Sequence, residues 1–116
     1  ISKRAVDTAL DNVARAQVQS RVVIKRADAL DLRPPEGPPG LLVGNPPYGE
    51  RLGDVRSLVP LYASLGRTLR SRFSGWRLGL ILAEPRFEEA LGLEVSRSWQ
   101  LKQGPLEVKL VECQLP

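Results

Sequence analysis

Asn45, Pro46, Pro47 and Tyr48 stand in the stretch "GNPPYGERLG", and their types and order suit the handling of an amino group. Pro47 drives Pro46 out of the α region, and neither proline has an N–H to donate. The result is a stiff segment with acceptors to spare. The amide oxygen of Asn45 and the carbonyl of Pro46 can accept both hydrogens of one exocyclic amine. Tyr48 adds a planar face for stacking a base, worth about 1–3 kcal/mol per base in single-strand recognition. An amide is no general base at neutral pH, so the role open to Asn45 is electrostatic: acceptors fixed in advance stabilise the positive charge that an attacking amine gains. The same residues also make turns, with Asn45 bonding its own backbone and Tyr48 packing on the core.

Positioning such a motif requires a strand before it. "LLVG", Leu41–Gly44, is a short apolar run of the kind used in a parallel sheet covered on both faces, where ligands collect outside the carboxyl ends of strands. Upstream, Val6, Ala9, Leu10 and Val13 recur at helical spacing within Ser2 to about Gln17, and Val22 to Ile24 form a β-branched run suited to a buried strand. The Pro- and Gly-rich segment from Arg33 to Gly40 is a loop.

Downstream, Leu58, Leu61, Tyr62, Leu65 and Leu69 predict a helix from Ser57 to about Phe73, with Pro60 in its first turn. Trp76–Ala83 reads as a strand and Pro85–Leu91 as a short helix stopped by Gly92. The alternating tail on either side of Gln103-Gly104 reads as an antiparallel hairpin. Strands alternating with helices predict an α/β fold, mostly parallel, with an antiparallel pair at one edge.

Composition narrows the chemistry. The 116 residues, 42% apolar and 26% charged, match one soluble domain, and no apolar run can span a membrane. The chain has no histidine and one cysteine, Cys113, which excludes an internal disulfide, leaves almost no zinc ligand set and removes imidazole-dependent nucleophiles. No metal site is expected, Cys113 reads as a small residue in or beside a strand, and a cytoplasmic location fits. A net charge of +4 permits a nucleic-acid partner. With no methionine even at position 1, the chain is expected to be a piece of a longer protein.

"NPPYGERLG", followed by "LYASLGRTL" and "SGWRLGLI", resembles the amino-methyltransferase motif of class I S-adenosylmethionine-dependent methyltransferases. More narrowly, it is similar to the guanine-N2 RNA methyltransferases acting on large-subunit ribosomal RNA, whose longer members carry a THUMP domain. "ISKRAVDTALDNV" resembles the helix after the second cofactor motif and "RADALDL" the third motif, so the likeness covers nearly all of residues 1–116.

The resemblance implies a Rossmann-like catalytic domain, S-adenosylmethionine as cofactor, and ribosomal RNA as partner. It implies that Asn45, Pro46, Pro47 and Tyr48 are catalytic. Asp28 and Ala29, with Asn45, would meet the cofactor, Asp28 beside its adenine. Tyr48, Gly49, Glu50 and Arg51 would meet the substrate. The core "NPPY" is shared with adenine-N6 and protein-glutamine methyltransferases; the extension Gly49–Gly53 points to guanine N2. The family's glycine-rich loop after the first strand, and its ribose-binding acid, have no match in the sequence and are expected upstream of Ile1. Residues 1–116 then form part of a catalytic domain, and a folded remnant unable to bind cofactor is the competing expectation. Without the first strand, exposed sheet edges favour self-association.

Other residues carry two readings. Glu50 and Arg51 pair with each other, or Arg51 meets an RNA phosphate or the flipped base. Arg67, Arg70 and Arg72 form a solvated helix face or line an RNA path. Trp76 and Trp99 read as core or edge packing, and Glu84, Glu88 and Glu89 as a charged helix start.

Overall fold

The computed structural model describes residues 2–47 and 52–116, with the backbone alone considered for residues 52–54. It divides into two compact units, Ile1–Leu32 and Arg33–Pro116.

In the first unit, α1 spans Lys3–Ala16. Ser2 caps its start by accepting from the N–H of Ala5 at 3.3 Å, and Gln17 ends it in the left-handed region at φ 60°. Val6, Ala9 and Val13 are half-buried, while Leu10 stays exposed. The strand expected at Val22–Ile24 does not form. That run joins no ladder, and Val23 is 79% exposed. β-branched residues favour a strand only where a neighbouring strand takes their backbone groups, and the described residues provide none there. A 3-10 turn follows at Ala29–Asp31.

The second unit holds a four-stranded sheet. β1 is Leu41–Gly44, β2 Arg77–Leu82, β3 Val95–Gln103 and β4 Leu106–Gln114, in the order β1-β2-β4-β3. β1 and β2 are parallel, with Leu41 opposite Arg77 and Gly44 opposite Leu80. β4 runs antiparallel to both β2 and β3. The α/β class holds, with a mixed sheet: one of the three pairings is parallel, because Val22–Ile24 contributes no strand. The hairpin turns at Gly104-Pro105, where φ 61° at the glycine precedes proline's fixed negative φ, the sign pattern of a type II′ turn.

Two helices cover one face. α2 spans Leu52–Arg72 and α3 Pro85–Leu91. Tyr62, Leu65 and Leu69 of α2, with Phe73 just beyond it, are buried together with Phe87 and Leu91 of α3. They meet the buried side chains Leu78, Leu80 and Leu82 of β2 and Val111 and Cys113 of β4. β1 is covered on this face only. Leu41 and Val43, pointing the other way, are 60% and 69% exposed, where two-sided burial was expected.

α2 starts five residues earlier than its apolar stripe suggests, so Pro60 lies inside the helix and not in its first turn. The hydrogen bond it forfeits is that to the carbonyl of Arg56; both residues are exposed, and water can take that carbonyl. The two helices cross closely at Gly66. A Cβ there would lie 2.0 Å from the carbonyl oxygen of Leu91.

Candidate active site

The carboxyl end of β1 delivers Asn45 to the edge where β2 also ends, since the two strands run in parallel register. Asn45 is exposed, Pro46 half-buried and Pro47 exposed. Among the described residues no hydrogen bond to the Asn45 side chain is present, so the self-bonded turn does not form. Tyr48, Gly49, Glu50 and Arg51 lie outside the described residues.

One contact fixes this segment from below. The hydroxyl of Tyr62 donates to the carbonyl of Pro47 at 2.8 Å. Tyr62 is fully buried and its ring lies on that of Phe87, with centroids 4.1 Å apart and planes 5° from parallel. Sequence spacing marks Tyr62 only as a member of the apolar stripe. The available signal is its type, because a tyrosine among leucines must find a partner for its hydroxyl when buried.

In the other unit, Asp28 accepts from the N–H of Leu30 at 2.8 Å through Oδ1 and so caps the 3-10 turn that begins at Ala29. An ionised carboxylate has further lone pairs on both oxygens, which suits it to accept from an amino group as well. No Gly-x-Gly sequence occurs among the 116 residues to cradle the rest of a nucleoside cofactor.

The arginines of α2 separate into different roles. Arg70 is turned inward. Its Nη1 donates to the carbonyls of Leu91 at 2.8 Å and Gly92 at 3.1 Å, where the C-terminal carbonyls of α3 welcome a cation. Arg70 is thus half-buried and tied to α3, and does not belong to a fully solvated helix face. Arg67 is exposed and bonds Ser64 at 2.9 Å.

Glu84 caps α3 and pairs with Arg86 at 2.9 Å; that hydrogen bond holds its carboxyl below the usual range. Glu88 pairs with Lys109 at 3.0 Å, and both line a cavity of about 190 Å³ that opens beside Leu82, at the same sheet end as Asn45. Among the described residues no cluster of metal-binding side chains occurs. Burial, with a smaller contribution from Glu88 and Glu112, pushes the Cys113 thiol up.

Trp76 meets Phe73 edge to face at 5.4 Å, as packing predicts. Trp99 is 40% exposed on the edge strand, with the Arg97 guanidinium 5.9 Å from its ring centre. No described helix is long and apolar enough to cross a membrane.

Known proteins resemble this chain in sequence and in fold. The ribosomal RNA large subunit methyltransferase K/L of Methylococcus capsulatus is 44% identical over 110 residues, covering 95% of this chain and 15% of its own. The protein of the same name from Chromohalobacter salexigens is 39% identical over 112 residues, with the same coverage. The chain therefore spans about 15% of the length of these curated relatives.

Among solved structures, SMU.472, described as a methyltransferase and crystallised with SAH, superposes with a TM-score of 0.87 at 27% identity, covering 99% of this chain and 30% of that one. An N6-adenine-specific DNA methylase predicted for Listeria monocytogenes superposes at 0.80 with 25% identity, covering all of this chain and 29% of its own. The family model for the RMKL-like methyltransferase domain, UPF0020, matches residues 1–112. With the family model matching nearly the whole chain and the curated relatives 44% and 39% identical over 95% of it, this chain belongs to the RMKL-like methyltransferase-domain family.

Proposed function

We propose that residues 1–116 are part of a catalytic domain that transfers a methyl group to the N2 amino group of a guanine in large-subunit ribosomal RNA. The observation that carries this reading is the placement of Asn45-Pro46-Pro47 at the carboxyl end of β1, with the Asn45 amide exposed. The names of the curated relatives support RNA as the substrate class.

The cofactor, S-adenosylmethionine, supplies an electrophilic methyl on a sulfonium. Asn45 and the Pro46 carbonyl hold the two hydrogens of the target amine and orient its lone pair toward that carbon. When bound, that cofactor would supply the methyl, its carbon–sulfur bond being given up for the new nitrogen–carbon bond and the neutral thioether being the leaving group. The nitrogen becomes cationic, and the two acceptors are worth most at that moment. Its surplus proton then leaves to water, since neither acceptor is a base.

Tyr48 stacks on the guanine, and Gly49, Glu50 and Arg51 border it. Asp28 and Ala29 take the adenine edge of the cofactor. A guanine inside a duplex must be flipped out to reach this edge of the sheet. Residues 1–116 alone bind the cofactor weakly, for want of a glycine-rich cradle; micromolar binding in calorimetry contradicts that statement.

The test is Asn45→Ala in the full open reading frame that contains this chain, scored by labelled methyl incorporation into ribosomal RNA and by nucleoside analysis. The loss expected is about 100-fold or more in turnover, the scale of one removed charge-stabilising group. Wild-type turnover in the variant refutes the role of Asn45. The likeness to an adenine-N6 methylase gives the substrate a second reading, and label found in N6-methyladenine favours it. Label found in protein glutamine would refute both.

A further inference from the structure

We infer that Tyr62 is a positioning residue for methyl transfer: through its hydrogen bond to the Pro47 carbonyl, it sets the height and tilt of the Asn45-Pro46-Pro47 segment. This rests on the amino-acceptor role proposed above for Asn45 and extends it to a residue buried beneath the site. Two prolines make the segment stiff within itself, but stiffness does not fix its attitude to the sheet. The segment can pivot as a unit where it leaves β1. A fixed point is needed beyond that pivot, and the Pro47 carbonyl is the described acceptor held there by a fully buried donor, at 2.8 Å.

The donor is itself immobile. Its ring is stacked on Phe87 of α3 at 4.1 Å, and Leu65 and Leu69 are buried on the same stripe of α2. The tether therefore runs from the two-helix layer to the loop, independent of the strand. Near-attack geometry is sensitive to shifts of about 1 Å, which can cost about 100-fold in rate. A hydrogen bond two residues from Asn45 is within reach of such an effect. It also accounts for a tyrosine where the core would accept phenylalanine.

Tyr62→Phe keeps the ring and its stack and removes the tether. In the full open reading frame, the variant is expected to lower kcat for methyl transfer about 10- to 100-fold, with the KM for S-adenosylmethionine and the melting temperature nearly unchanged. Hydrogen exchange of a peptide covering residues 42–52 is expected to quicken in the same variant. A purely structural role would lower the melting temperature and leave kcat per folded molecule alone.

Asn45→Ala serves as the reference. If it abolishes transfer while Tyr62→Phe has wild-type kcat, the positioning role is overturned and the acceptor role stands. If Asn45→Ala is fully active, the acceptor role falls, and exchange alone then judges the tether: unchanged exchange overturns it and quickened exchange upholds it.

Discussion

Replacing Gly66 by alanine puts a methyl group where the backbone of α3 already sits. The added Cβ would be 2.0 Å from the Leu91 carbonyl oxygen, 2.8 Å from its carbonyl carbon and 3.0 Å from its Cα. These are main-chain atoms, and the oxygen is also the acceptor of Arg70, so no side-chain rotation relieves the clash. The end of α3 must retreat by about 1.4 Å to bring that 2.0 Å approach to ordinary contact at 3.4 Å, and a gap of that size forfeits about half or more of each dispersion contact it opens.

Overpacking of this kind costs about 1–3 kcal/mol, and the backbone clash places Gly66 at the upper end. Alanine returns about 1 kcal/mol through its better helix propensity. The net loss is about 2 kcal/mol, a fall of about 8 °C in melting temperature for a domain of this size. The assay is thermal unfolding followed by circular dichroism. Gly104→Ala is the control: its φ is 61° but nothing lies within 4 Å, so it is expected to lose only the left-handed penalty of about 1 kcal/mol. A Gly66→Ala protein that melts at or above the wild-type temperature refutes the argument.

Three further outcomes follow from the same packing. Phe87→Ala removes the ring beneath Tyr62 and is expected to destabilise by about 3–5 kcal/mol, read in urea unfolding. Arg70→Met keeps the aliphatic stem but abandons two carbonyls, costing about 1–2 kcal/mol by the same assay. Cys113, whose folded pKa is raised, binds its proton longer in the folded state. Stability is thus full below the unfolded pKa and declines as pH rises above it, so alkaline unfolding should ease above about pH 9, and Cys113→Ala should remove that component.

The sequence makes α1, β2, α3 and the hairpin legible because each has a local signature: apolar spacing, a capping residue, or a turn with Gly104 or Gly92. The motif at the end of β1 was equally plain, since Asn-Pro-Pro-Tyr is unusual in itself. Val22–Ile24 was misread because β-branched residues report only a willingness to pair, and pairing depends on a neighbour that composition does not reveal. The start of α2 was misplaced because Leu52–Arg56 lacks the apolar stripe and Pro60 looked like a first-turn residue.

Arg70 illustrates the same boundary. Its position on the helix face is periodic, but the α3 carbonyls it reaches come from 21 residues away. Tyr62 was visible as core and invisible as a tether for the same reason.

The strand order carries a consequence for time. β4 follows β2 and β3 in sequence yet lies between them, with Leu115 also bonding Trp76 and Gly75. During synthesis, β2 is complete when residue 82 is added, yet its neighbour on one side does not exist until residue 114. At about 5–20 residues per second, that is a wait of roughly 2–6 s during which one edge of β2 and the apolar side chains opposite α2 stay uncovered. The site-bearing end of β2 gains its neighbour on that side only when Lys109–Val111 are added. Ribosome pausing within residues 83–114 would prolong that exposure.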